Sequence, residues 1–106
     1  MLYEWRTYHA APGKTEDLHR RFAEHTRRLF ARHGLRDVAY FLPAGSDGPL
    51  QYLLSFPDRA ARDAAWDAFR ADPEWQRVKA ESERDGPLVE RIDSALLETT
   101  AYSPEP

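Results

Sequence analysis

The chain opens on a period of two. Within Leu2 to His9, Tyr3, Trp5 and Thr7 fall on one face, and Glu4, Arg6 and Tyr8 on the other, as side chains two apart do along a strand. Aromatic and β-branched content fits that element. Ala11-Pro12-Gly13 breaks it, and the period then becomes helical. Leu18, Phe22, His25 and Leu29 form a stripe with Thr26, Phe30 and His33 on its flank, while Arg20, Arg21, Glu24, Arg27, Arg28 and Arg32 fall mostly outside it. Thr15 is the predicted N-cap, with Glu16 and Asp17 in the first turn. Gly34 is placed to close the helix in a left-handed conformation.

Asp37 to Leu42 reads as a second strand, apolar on both faces, and Gln51 to Phe56 as a third. The Pro43 to Pro49 stretch between them, with Gly45-Ser46-Asp47-Gly48 inside it, is a hairpin-type loop. Asp58 caps a second helix whose inner side takes Ala61, Ala65, Ala68 and Phe69. Asp72-Pro73 restarts a short helix that runs to about Arg84 and carries Trp75 and Val78 inward. Gly86-Pro87 stops it, and Ile92 to Thr100 is the last strand. The order β-α-β-β-α-β predicts an α+β, ferredoxin-like domain over 1–102, one four-stranded antiparallel sheet with its helices on one face. Residues 103–106 are expected to form a flexible tail.

Helices on one face leave the other face to be explained. Two charges would not sit unpaired beneath helices. The expectation is therefore that Glu4, Arg6 and Tyr8 face outward and the Trp5 face packs inward. With Val38, Ala39, Tyr40, Phe41, Leu42, Tyr52, Leu53, Leu54 and Leu96 on the neighbouring strands, the open face would be largely apolar. Such a surface marks an interface or a pocket. Two copies paired face to face would cover it, so a homodimer is expected.

Composition narrows the function. A net charge of −3 argues against nucleic acid, which requires a concentrated basic footprint. With no cysteine in the chain, disulfides, thiolate nucleophiles and cysteine metal sites are excluded. No histidine–glutamate spacing of a zinc helix occurs, and no metal is expected. Charges at the N-terminus where a signal peptide needs an apolar run, and no stretch near the roughly 20 apolar residues of a membrane span, lead to the expectation of a cytoplasmic protein without membrane contact. Arginine far outnumbers lysine, present only as Lys14 and Lys79, and asparagine is absent.

Several short motifs taken together resemble the NIPSNAP family, a branch of the dimeric α+β barrel superfamily: Tyr3-Glu4-Trp5-Arg6-Thr7-Tyr8, Pro12-Gly13-Lys14, Arg32-His33-Gly34, Asp58 with Arg62, and Asp72-Pro73-Glu74-Trp75. The resemblance implies a ferredoxin-like protomer, a homodimer and a barrel-like interior. It supplies no reaction. Leu54 stands where tryptophan is common in the family, and Tyr52 where histidine or tyrosine is usual. Haem-degrading members of the superfamily resemble one another in an Asn, Trp and His set, and a chain without asparagine lacks it.

Glu4, Arg6 and Tyr8 are the leading catalytic candidates: Glu4 as a base, Arg6 as a clamp for a carboxylate or enolate oxygen, Tyr8 as a hydrogen-bond donor. The alternative reading, a buried structural Glu4–Arg6 pair at the dimer interface, is the more common use of such a pair. His25, in the helical stripe, is a candidate proton shuttle or a hydrogen-bonded core histidine. Tyr40, Phe41, Tyr52, Leu54, Trp66 and Trp75 are the candidate substrate-binding residues, with Phe56 as a further wall. Arg62 is expected to tie its helix to the sheet or to a partner, with Asp58 or Glu74 as acceptors. The resulting expectation is a protein that binds or transforms a small apolar or aromatic molecule without a cofactor; the alternative is a non-catalytic dimeric interaction module.

Overall fold

The computed structural model describes residues 1–106. Its elements are β1 (Leu2–Ala10), α1 (Thr15–Arg21), a π-helical turn (Phe22–Thr26), α2 (Arg27–Arg32), β2 (Arg36–Phe41), β3 (Leu50–Phe56), α3 (Arg59–Ala71), α4 (Pro73–Ser82) and β4 (Val89–Glu98). The four strands form one antiparallel sheet in the order β2-β3-β1-β4, the α+β, ferredoxin-like arrangement expected. No helix is long and apolar enough to cross a membrane.

Local chemistry sets most boundaries. Asp58 caps α3, its side chain accepting from the Ala61 amide at 2.8 Å, and Asp72 caps α4 through the Glu74 amide at 2.8 Å, with Pro73 in the first turn. Gly34 has φ +80°, the left-handed conformation glycine adopts at low cost. Thr15 is not the N-cap. Lys14 takes that position without a side-chain hydrogen bond, because a turn in which the Lys14 amide donates to the Ala11 carbonyl already aims its own carbonyl at the Leu18 amide.

α1, the π turn and α2 run on as one helix whose phase changes in the middle. The Arg27 amide donates to the Phe22 carbonyl, five residues back, so the turn is wider than an α-helical one. The residues after it are rotated relative to a regular helix. Thr26 and Phe30 swing inward to full burial and His25 swings outward. The expected stripe through His25 is thereby corrected, and Arg21, read from the period as outside the stripe, is buried. In α3, Trp66 is buried and Ala68 exposed.

Sheet register decides which residues face the helices. Tyr40, Tyr52, Arg6 and Ser94 align across the four strands, as do Asp37, Leu54, Glu4 and Leu96. Glu4 contacts Arg62 and Trp66 of α3, so these rows lie beneath the helices. The rows on the uncovered face are Ala39, Leu53, Trp5, Ala95 and Phe41, Gln51, Thr7, Asp93. The expected orientation of β1 is reversed. The core between the layers holds Leu18, Phe22, Leu29, Phe30, Leu35, Tyr52, Leu54, Phe56, Trp66 and Phe69, among others.

Candidate functional site

Glu4 is 0% exposed and fully partnered. Its Oε1 accepts from Arg62 Nε at 3.0 Å and Trp66 Nε1 at 2.8 Å. Its Oε2 accepts from Arg6 Nη1 at 2.9 Å, Arg62 Nη2 at 3.0 Å and Ser94 Oγ at 2.7 Å. Unpaired burial was the objection to placing this face inward, and α3 answers it by bringing three donors, two from Arg62 and one from Trp66, against the strand. Burial alone would raise the Glu4 pKa, but the bonds from Arg62, Ser94, Trp66 and Arg6 outweigh it and hold the group at about 2. Five donors occupy a carboxylate with about four lone-pair sites. No lone pair is left to take a proton from another molecule.

Arg6, 9% exposed, passes this anchoring on. Nη1 goes to Glu4, Nε donates to the Tyr52 hydroxyl at 3.1 Å, and Nη2 donates to the Tyr8 hydroxyl at 3.2 Å. Its guanidinium carbon lies 4.3 Å from the Trp66 ring centroid, a cation–π contact. Burial opposes its charge, but Tyr8, Tyr52 and Glu4 prevail and raise its pKa. The Tyr52 hydroxyl, sealed from solvent, lies 2.9 Å from that of Tyr8. Burial and the Tyr8 neighbour push its pKa well up, so it stays protonated, and its hydrogen goes to Tyr8. The Tyr8 oxygen therefore accepts twice, and its own hydrogen remains available.

Tyr8 also lines a cleft of about 350 Å³ between the helices and the β1–β4 side of the sheet. Phe22, Phe30, Phe69 and Trp75 supply apolar wall, while Lys79 stands at its exposed edge. The Phe69 and Trp75 rings pack with centroids 4.6 Å apart. A second lobe of about 320 Å³ shares Tyr8, Phe69, Trp75 and Lys79 and adds Arg6, Trp66 and Arg70. The space exists because α3 and α4 leave β4 sparsely covered: Ile92 and Ser94, on the helix-facing rows, are exposed.

The structure gathers some predicted site residues here and disperses others. Arg6, Tyr8, Trp66 and Trp75 meet at the cleft. Tyr52, Leu54 and Phe56 are core, with Tyr52 reaching the site only through hydrogen bonds. The Tyr40 ring packs tilted against that of Tyr52, centroids 5.2 Å apart, and its hydroxyl donates to Asp37 at 2.9 Å; burial first, then that bond, raises its pKa. Phe41 is on the opposite face, its ring 5.7 Å from that of Trp5. His25, a candidate proton shuttle, borders a surface groove with Asp17, Arg20, Arg21 and Glu24 and does not line the cleft that Arg6 and Tyr8 reach. Arg62 binds Glu4 and Asp63, not Asp58 or Glu74. Sequence reading missed Arg21, Thr26, Phe30 and Lys79 as cleft residues. It also missed Arg62 and Trp66 as partners of Glu4, though their spacing of four places both on one helix face.

The sequence model of the NIPSNAP family matches residues 3–104. The chain belongs to the NIPSNAP family. Two solved NIPSNAP structures superpose closely on it. An uncharacterized NIPSNAP domain protein from Burkholderia xenovorans is 21% identical with a TM-score of 0.82, covering 99% of this chain and 100% of its own. A NIPSNAP family protein of unknown function from Agrobacterium tumefaciens is 22% identical with a TM-score of 0.81, covering 98% of this chain and 92% of its own. An antibiotic biosynthesis monooxygenase, 18% identical, has a TM-score of 0.59 over 94% of this chain and 99% of its own. At these identities the structures share a fold with this NIPSNAP protein. No curated protein matches it.

Proposed function

We propose that this NIPSNAP protein binds a small, largely apolar or aromatic molecule in the cleft between sheet and helices, and that it does so as a homodimer. The Tyr8 hydroxyl carries this reading. Its oxygen is filled by Arg6 and Tyr52, its hydrogen is unspent, and its side chain lines a cavity with aromatic walls. Hydrogen-bonded chains polarise one another, which strengthens the bond at their end. A carbonyl or carboxylate oxygen of the bound molecule is the natural acceptor. The same bond grows stronger as negative charge develops on that oxygen, which is how the site would act on a carbonyl compound as well as hold it. Glu4 is then a positioning residue that fixes Arg6, not a base.

The dimer in this reading forms through the uncovered face. Trp5, Leu53, Ala39 and Ala95 form its middle row, and Phe41 and Leu97 are exposed beside them. A contiguous apolar surface of this kind marks an interaction site.

The mutual saturation of Glu4 and Arg6 favours a second reading, a non-catalytic dimeric module with no ligand. One titration separates the two. Adding 1-naphthamide, a neutral aromatic amide, to the protein should shift the indole NMR resonances of Trp75 and Trp66 but not that of Trp5. Tyr8→Phe should weaken this binding about tenfold, the loss of one good hydrogen bond. Naphthamide that shifts no indole resonance, or that binds the variant equally well, would leave the module reading standing.

A further inference from the structure

We infer that the molecule taken by the cleft is an anion, an aromatic or apolar body bearing a carboxylate or comparable acidic oxygen, and that Arg21 is its anchor; this rests on the cleft reading above.

Arg21 is a buried cation in the cleft wall. It is 6% exposed, and three contacts fix its guanidinium. Nη1 donates to Ser82 Oγ at 3.1 Å and to Glu83 Oε2 at 3.0 Å, and its carbon lies 5.2 Å from the Trp75 ring centroid. Nε has no hydrogen-bond partner although it is sealed from solvent. Buried N–H groups are nearly always paired, because an unpaired one costs free energy that a partner would recover. A tie from α1 to α4 accounts for Nη1 and leaves Nε unspent. An acceptor oxygen on a bound molecule would satisfy Nε once the Arg21 side chain turns enough to uncover it.

The backbone is shaped for this arrangement. The π turn begins at the residue after Arg21, and Thr26 Oγ1 donates to the Arg21 carbonyl at 3.3 Å. Such turns interrupt α-helices frequently at functional sites. Here the turn puts Phe22, Thr26 and Phe30 in the cleft wall beside Arg21.

The charges around the cleft single out Arg21. The two lobes are lined by Arg6, Arg21, Arg70 and Lys79 together with Glu83 and Glu90. Arg6 is matched by Glu4, and Arg70 leans on Asp67 outside the cleft. Arg21 and Lys79 therefore share the Glu83 carboxylate, the latter at 3.4 Å, and Glu90 lines the cleft beside them. An arginine packed against an aromatic ring presents a rigid fork that recognises a planar carboxylate better than a lysine does.

The test compares two probes of nearly the same shape, 1-naphthoate and 1-naphthamide, titrated at neutral pH and followed by the Trp75 indole resonance. Naphthoate should bind at least tenfold more tightly to the native protein. Arg21→Gln should abolish that preference, and Arg21→Lys, which keeps charge but loses the Nε–H, should retain only part of it. Glu83→Gln should strengthen naphthoate binding several-fold. If Arg21→Gln does not fold, the native preference and the Glu83→Gln direction decide. Equal affinity of the native protein for both probes would overturn the anion inference while leaving the cleft reading intact. Failure of both probes to bind would overturn the cleft reading itself. A preference that survives Arg21→Gln would remove Arg21 as the anchor.

Discussion

Arg62 of α3 and Glu4 of β1 form a bidentate pair across the sheet–helix boundary, with Arg62 Nε 3.0 Å from Oε1 and Nη2 3.0 Å from Oε2. Two parallel charge-assisted bonds fix the carboxylate's plane as well as its position. Trp66, one turn further along α3, adds a third donor from the same helix. The carboxylate so held aims Arg6, and Arg6 with Tyr52 aims Tyr8. The chain of contacts from α3 to the cleft is continuous.

Arg62→Ala should therefore loosen α3 and the site together. Glu4 would keep Arg6, Trp66 and Ser94 but lose two charge-assisted bonds, a cost of about 2–3 kcal/mol. Glu4→Ala should cost more, about 3–5 kcal/mol, because it strands Arg6 as an uncompensated buried charge. Urea unfolding of both variants gives the order, and equal effects would mean that Arg6 finds another partner.

Acid should destabilise the protein through the same group. The Glu4 pKa falls from 4.5 to about 2 on folding, so the folded state binds the proton more weakly than the unfolded chain. A depressed pKa contributes stability above the unfolded value that is lost as pH falls toward the folded one. The window is roughly pH 5 to 2, and the contribution is roughly 3 kcal/mol. A carbon-detected NMR titration of the Glu4 side chain should show it still ionised at pH 3.5. A midpoint near 4.5 would contradict the hydrogen-bond network described above.

Asp72 carries a smaller load of the same kind. It caps α4, accepts from His33 Nε2 at 2.6 Å and from Arg32 Nη1 at 3.0 Å, and so joins the end of α2 to the start of α4. The His33 bond leads in lowering its pKa to about 2, with the Glu74 amide and Arg32 adding to it against desolvation. Asp72→Ala should lower Tm by a few degrees, the scale of one lost N-cap in a small domain. It should also speed amide exchange in α4 ahead of the sheet. Uniform acceleration through the whole domain would argue against a local tie.

The order of elements was legible because each boundary carries its own chemistry: Asp58 and Asp72 cap, Gly34 turns left-handed, and Ala11-Pro12-Gly13 ends a strand. The face of β1 was not. Alternation divides Glu4 from Trp5 but does not say which side the helices take. The rule against burying unpaired charge pointed the wrong way because Arg62 and Trp66 lie about 60 residues downstream. Arg21, three residues after Leu18 and ahead of the π turn, shares the buried face of a regular helix and was set outside it by its charge; Thr26 and Phe30 were hidden for a different reason. A helical period assumes 3.6 residues per turn, and the π turn at Phe22–Thr26 changes the phase where the cleft is built. Nothing in the residue types announces that wider turn. Tyr8 was found because hydroxyl, guanidinium and carboxylate at spacing two share a face whichever way it points.

Reversing β1 moves the proposed dimer surface onto Trp5 and its neighbours, and that makes the pairing testable without disturbing the cleft. The middle of the uncovered face, Ala39, Leu53, Trp5 and Ala95, carries no charge; Arg36, Arg91 and Asp93 lie on the outlying rows. Phe41 and Leu97 are each 46% exposed, on strands either side of that middle. Both lie on edge strands, in the rows that flank that middle, so an aspartate at either position would set a charge against the apolar margin of a face-to-face pair, where an unpaired charge is costly, and would be solvated in a lone protomer. The double variant Phe41→Asp, Leu97→Asp should therefore sediment as a folded monomer at micromolar concentration, where the native chain should sediment as a dimer. Its circular dichroism and the naphthamide shifts at Trp75 should stay close to native. A native chain that sediments as a monomer would remove this pairing, and a double variant that remains dimeric would place the interface on another surface of the molecule.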